Sequence, residues 1–316
     1  MSPSHDPRLG AHHVCTGSIH SVWDNTLEPA CEVSSGDSVE LSVPDASYRQ
    51  IGRAAVIDDL ATADFSLMNP LAGPVFVRGA RPDETLEVEI LDVETDTWGW
   101  TGIVPGFGLL AEDFPRPWLR ISEIKHGRVR FADDVELRCR PFPGTIGVAP
   151  DRPGPHSVIP PSEFGGNLDV RYLTVGTRLF LPVGVEGALF SVGDGHAAQG
   201  DGEVCGSAIE TAMRISVRLT ARPDLRIPAP QLIVPAPGLR SSETVYVTTG
   251  VAGDLRKAAQ DAVRAMIDHL GSTHNLDPEE AYALTSIAGE LRINEVVNAP
   301  MWVVSAAMPD SIFVER

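Results

Sequence analysis

The sequence predicts an α+β protein, predominantly antiparallel β in a sandwich- or barrel-like arrangement, with two helices near the C-terminus. Three observations carry that class. Apolar and polar residues alternate through much of the chain. The 29 glycines and 26 prolines favour short strands and turns over long helices. Helical spacing of three and four appears only near the C-terminus, and strands first with helices late is the α+β order.

Val39, Leu41 and Val43 alternate with polar partners after the turn at Gly36-Asp37, and Leu86, Val88 and Ile90 do so after Arg81-Pro82-Asp83. Val129 to Phe131, a turn at Asp133-Asp134 and Val135 to Leu137 read as a hairpin. Ile209, Met213, Ile215, Val217 and Leu219 share one face of a long strand whose wet face carries Glu210, Arg214 and Arg218. From Gly253 to Leu270 the apolar spacing is helical, closed by Gly271, and a second helix opens with Asp277 as N-cap and Pro278 at its first position. The expected division of the single unit 1–316 is a β-rich body over about 18–221, a proline-rich connection or edge strand over about 222–240, and a strand and helical segment over about 241–309.

The 316 residues carry a net charge of −18, with no basic patch, which argues against nucleic-acid and anionic-membrane partners. Lys125 and Lys257 are the only lysines, so lysine-dependent chemistry has few candidates. With no long apolar run and a polar start, the expected location is the cytoplasm. Cys15, Cys31, Cys139 and Cys205 lack metal-ligand spacing and are expected as reduced thiols.

The segment 193–206 is the least explained by fold. A strand from Ala188 to Val192 runs in, a long strand near Ala208 runs out, and the expected loop between them holds five glycines with Asp194, His196, Gln199, Asp201 and Glu203. Asp194 and His196 can place two ligands on one ion, while glycine and aspartate are equally ordinary turn residues. On a strand, His20 and Asp24 would share a face with Trp23 opposite, as a metal pair or a structural hydrogen bond. His156 and the stretch Gly165-Gly166-Asn167-Leu168-Asp169 form a third, irregular constellation; His5, His12 and His13 are discounted as part of a frayed N-terminus.

The stretch from Gly193 through Glu210 resembles the signature of the acetamidase/formamidase family. Similar blocks are His20 to Asn25, Asn69 to Ala80, Gly165 to Asp169 with Leu181 to Val183, and Ile287 to Glu295, so the likeness spans about residues 18–309 by eye. Glu290 stands where the family is expected to carry aspartate. The resemblance implies hydrolysis of a short amide to carboxylate and ammonia, a β-rich fold with C-terminal helices, a bound divalent metal and a homo-oligomer.

Three amidase chemistries then compete. A Glu-Lys-Cys site needs a lysine beside a reactive cysteine, and Lys125 and Lys257 lie far from Cys205 in sequence; a Ser-Ser-Lys site finds only Ser34-Ser35, which open a strand. Metal-assisted hydrolysis fits best, the ion acidifying water and polarising the carbonyl while a carboxylate relays the proton. By chemical type, His20, Asp24, Asp194 and His196 are the expected ligands of a divalent metal, zinc first and calcium second. Glu203 is the expected proton shuttle, with Asp201 able to exchange roles. Asn69, Trp23, Gln199 and Cys205 are expected around the substrate, Cys205 doubling as nucleophile of an alternative amidase or lactamase mechanism and otherwise a small buried residue. A non-catalytic β-rich binding or assembly protein is the competing class.

Overall fold

Alternation along the strand Trp302–Pro309 shows how the layers form. Val303 and Ala307 enter the main core on one side, while Val304, Ala306 and Met308 meet the helices Leu255–His274 and Pro278–Ala288 on the other. The computed structural model describes residues 11–15, 18–235 and 244–313. A nine-stranded sheet contains Ser38–Val43, Met213–Arg222, Thr85–Thr95, Arg178–Pro182, Gln231–Val234, Val245–Ala252 and Trp302–Pro309. A six-stranded sheet contains Gly165–Asn167, Phe142–Gly147, Phe190–His196 and Leu71–Arg78. One hydrophobic core joins both, with Leu41, Leu86, Ile90 and Val217 from the first and Val75, Phe142, Ile146 and Phe190 from the second. That is a sandwich, backed by two helices on the outer face of the larger sheet.

Among the described strands the pairings are antiparallel, except His12–Cys15 with Ser38–Val43 and Cys31–Ser34 with Leu71–Arg78. The expected strands at 39–43 and 86–90 and the hairpin across Asp133-Asp134 are present. Met213, Ile215, Val217 and Leu219 point inward, while Arg214 and Arg218 pair across the other face with Glu94 and Glu89. Asp277 caps the last helix with Glu280 returning the bond, a capping box with Pro278 at the first position.

Several expectations need correction. Gly271 does not close the first long helix; it continues to His274, where Asn275 takes the left-handed conformation at φ 55°. The proline-rich connection conceals an interior strand, Gln231–Val234, paired on both edges and flanked by Pro230 and Pro235, which need no ladder hydrogen bond there. Residues 236–240, with Pro237, lie outside the described residues. Cys15 and Cys31 form a disulfide with Cα atoms 5.9 Å apart, leaving Cys139 and Cys205 as free thiols. Parallel neighbours on two sheets bring those cysteines together across a separation of 16, which spacing rules for metal sites do not register. His12 and His13 are not frayed but paired in a strand, and His13 Nε2 lies 3.0 Å from Asp37; His5 lies outside the described residues. Among the described residues no helix is long and apolar enough to cross a membrane.

Candidate metal centre

The strand Phe190–His196 runs through the segment expected as a glycine loop. Its glycines serve close approach: a Cβ at Gly193 would meet the Pro70 carbonyl at 2.4 Å, and one at Gly195 the Thr211 carbonyl at 2.3 Å. Asp194 and His196 face the opposite way, toward the neighbouring strand, where a Cβ at Gly144 would meet Asp169 Oδ1 at 2.5 Å and Asp194 Oδ2 at 2.7 Å. Bare backbone on both sides lets a cluster of side chains close inside the fold.

That cluster is His196 with Asp169, Asp194, Glu203 and Glu210. His196 is 1% exposed and the carboxylates between 1% and 7%. Nε2 of His196 lies 3.3 Å from Asp194 Oδ1, 3.2 Å from Glu210 Oε2 and 4.0 Å from Glu203 Oε1. The opposite nitrogen decides the tautomer. Gln199 Nε2 donates to the Asp169 carbonyl at 2.9 Å, so its Oε1 faces His196 Nδ1 at 2.9 Å and must accept a proton from it. In the neutral ring Nε2 is thereby left with its lone pair among carboxylates.

Each of three carboxylates has one oxygen pinned. Asp194 Oδ2 accepts from Asn69 at 3.2 Å, Glu210 Oε1 from the Ala208 amide at 2.7 Å, and Asp169 Oδ2 from Asn298 at 2.5 Å. Asp169 Oδ1, Glu210 Oε2 and His196 Nε2 are buried without a hydrogen-bond partner. Among the described residues no arginine or lysine pairs with this group. Buried carboxylates lacking a cation cost several kcal/mol, and a group converging this way could hold a divalent ion. Two overlapping triads have ligand atoms close enough to share one: Asp194, His196 and Glu210, and Asp169, His196 and Glu203.

The protein's own charges agree. Burial, then the Asp194 charge, pushes Asp169 up to about 6, and burial raises Asp194 as well. Burial, then the Asp169 charge, raises Glu203 well above the carboxylate range, and burial brings nearby Glu295 to about 8. For His196 burial opposes the charge, yet Glu210 and Asp194 outweigh it and raise the group, so their charge favours a second proton on Nε2, the position a cation would take in its place. Four residues here take positive φ without being glycine: Asn69 at 51°, Asp169 at 48°, Asp194 at 57° and Glu203 at 45°. Each such conformation costs about 1–2 kcal/mol, and strain of this kind concentrates at functional sites.

Over the cluster lies a cavity of 280 Å³ with Asn69, Asn167, Asp194, Glu203, Glu210 and Asn298 in its lining. The profile of the acetamidase/formamidase family matches residues 11–157 and 154–315. The chain belongs to this family. It is similar to the acetamidase of Bacillus halodurans, with a TM-score of 0.86 and 32% identity over 93% of this chain and 96% of that one. A predicted acetamidase/formamidase from Thermoanaerobacter tengcongensis gives 0.87 and 30% over 96% and 97%. The formamidase of Methylophilus methylotrophus is 29% identical over 261 residues, 64% of each chain, so the match spans less than two thirds of that relative.

Around this cluster the expected residues divide. Asp194, His196, Glu203, Gln199 and Asn69 come together. His20 and Asp24 stand apart from both triads: His20 Nδ1 donates to the Val22 carbonyl at 2.8 Å and Nε2 accepts from Ser191 at 3.0 Å, with burial holding it neutral. No lone pair remains for a metal. The strand breaks at Ser21, and Asp24 turns to a surface loop where Oδ1 accepts from the Thr26 amide and hydroxyl at 2.8 and 2.7 Å, which lowers its pKa. Asp24→Asn is therefore expected to leave bound metal and turnover unchanged; metal analysis of the purified variant checks this.

Asp201 lies on the outer side, held by Arg171 at 2.9 Å and Arg292 at 3.6 Å. Trp23 packs with Leu71 and Val158 and is not among the cavity residues. Cys205 is half-buried, its thiol pushed up by burial and donating to the Ser207 carbonyl at 3.4 Å. Glu203 and Cys205 share no strand face, because 203–206 is a turn closed by Gly206 N–H on the Glu203 carbonyl at 2.7 Å. His156 bonds the Arg152 carbonyl at 3.2 Å, and Glu290 pairs with Arg292. Asp169 and Glu210 were missing from the expected site. Alternation places Glu210 on the wet face of a strand that begins at Met213, so the residue precedes it and bridges to His196 and Trp100. Asp169, expected in an irregular exposed stretch, is buried just after the strand Gly165–Asn167.

Proposed function

We propose that the chain hydrolyses a short primary amide to carboxylate and ammonia at this centre, the function of the family's acetamidases and formamidases. The observation that carries it is the buried His196 Nε2, facing Glu210 Oε2 at 3.2 Å and Asp194 Oδ1 at 3.3 Å, with both carboxylates in the lining of the cavity. Asp194, His196 and Glu210 are the ligand set we favour, with Asp169 beside them. A divalent ion supplies a Lewis acid that acidifies water and polarises the amide carbonyl. The mixed nitrogen and oxygen donors suit zinc better than calcium, which takes oxygen ligands.

Around that ion the side chains have separate tasks. Glu203 is placed to accept the water proton and pass it to the leaving nitrogen, since it lines the cavity with its Oε1 4.0 Å from His196 Nε2. Asn69, Asn167 and Asn298 line the cavity with amides able to orient a substrate amide or its developing oxyanion. Cys205 lies outside the cavity lining and burial pushes its thiol up, which weighs against the thiol mechanism. Homo-oligomeric assembly belongs to the same reading and rests on the resemblance.

Ammonia release from formamide and acetamide tests the proposal directly. Prolonged chelation is expected to abolish it and zinc to restore it; activity unchanged in metal-free protein would defeat the metal mechanism, and no ammonia from folded, zinc-loaded protein would favour a non-catalytic role.

A further inference from the structure

The cavity is much larger than the amide group requires. One water needs about 10–15 Å³ by a measure of this kind, so 280 Å³ exceeds formamide, itself the size of a few waters, several-fold. Its chemistry is also divided. Polar groups gather at the metal end, whereas Leu60, Phe65, Met68, Trp100, Val104 and Phe107 line the remainder.

These apolar residues come from separate elements that converge only here. Leu60 sits on the short helix Ile57–Ala61, Phe65 on the turn Phe65–Leu67, and Trp100 on the strand Trp98–Ile103. Leu60 and Trp100 are 1% and 5% exposed, packed with Ala46 and Ile51, so this wall is fixed; Phe65 is 50% exposed and stands at the mouth. Trp100 Nε1 donates to Asp45 Oδ1 at 3.2 Å, which holds the ring in place. A wall of this kind gives formamide nothing to bind. It would shed water only for an apolar group attached to the carbonyl carbon.

On the amidase reading above, we propose that the preferred substrate is a primary amide bearing an apolar acyl group of roughly four to six carbons, an estimate set by the room beyond the polar end and the gain from each buried methylene. The amide lies at the metal end and the acyl chain against Leu60, Met68, Trp100 and Phe107. Water oxygen bonds to the acyl carbon, the C–N bond breaks, and the nitrogen leaves with the proton carried by Glu203. The products are a medium-chain carboxylate and ammonium, with no other reactant.

The test is a series from formamide through acetamide and butyramide to hexanamide on zinc-loaded protein, read as kcat/KM by ammonia release and as affinity by calorimetry. Each methylene is expected to improve both by about fourfold, the equivalent of burying one CH2, until the cavity is full. Phe65→Ala should reduce the preference for hexanamide over formamide several-fold. Formamide turned over best, with affinity flat along the series, would overturn the inference and leave the amidase reading intact. Affinity rising with chain length but no ammonia from any member would sink the amidase reading and support the apolar site; flat affinity without ammonia would defeat both.

Discussion

His196→Ala is expected to lose most of the bound metal and at least about a thousandfold in kcat/KM, the scale reached when electrostatic stabilisation at a reacting centre is removed. The reason is geometric. Both candidate triads use this histidine, and its ring is the only nitrogen donor in either. Gln199→Ala separates ligation from positioning: without the amide oxygen on Nδ1 the ring can turn or change tautomer, and metal affinity should fall by about 10–100-fold while turnover at saturating metal largely returns. His20→Ala supplies the contrast, because both its nitrogens are occupied by Val22 and Ser191. Metal content measured after equal dialysis ranks the three variants. Metal lost from His20→Ala and retained by His196→Ala would return the centre to the N-terminal strand.

The fold was legible where one face of an element meets the core and the other meets water. Val39, Leu41 and Val43, the Met213 to Leu219 series and the capped helix at Asp277 all report their own surroundings, so alternation and capping chemistry find them. It failed where a strand is buried on both faces or lined with glycine. Gln231–Val234 sits between two strands, and its flanking prolines imitate a linker. In Phe190–His196 the glycines mean close packing rather than a turn, because Pro70 and Thr211 leave no room for a Cβ.

The same ambiguity divided the site. Asp194, His196, Gln199 and Glu203 are near one another in sequence and were accessible as a cluster of chemically able side chains. Asp169 and Glu210 reach His196 from a different strand end and from the segment before Met213, and alternation gave the wrong sign for Glu210. Its position at the end of the resembling stretch 193–210 was the available signal. His20 and Asp24 were drawn in by residue type alone. Their ordinary hydrogen bonds to Val22, Ser191 and Thr26 become visible only with the fold.

Glu203→Gln and Cys205→Ala should point in opposite directions. Glu203 lies in the buried cluster, its Oε1 4.0 Å from His196 Nε2 and its side chain in the lining of the cavity. Glutamine keeps the shape and a carbonyl oxygen but cannot carry the proton, so kcat should fall by roughly two to four orders of magnitude while KM and bound metal change little. Cys205 makes a weak bond to the Ser207 carbonyl and its thiol is held protonated by burial, so alanine there removes only packing. Most activity should survive. A cysteine nucleophile would instead lose nearly all activity on substitution and would leave a trappable acyl-enzyme in the native protein. An inactive Cys205→Ala beside an active Glu203→Gln, each folded and metal-loaded, would transfer the chemistry from carboxylate to thiol, because the two mechanisms assign the proton and the new bond to the acyl carbon to different atoms.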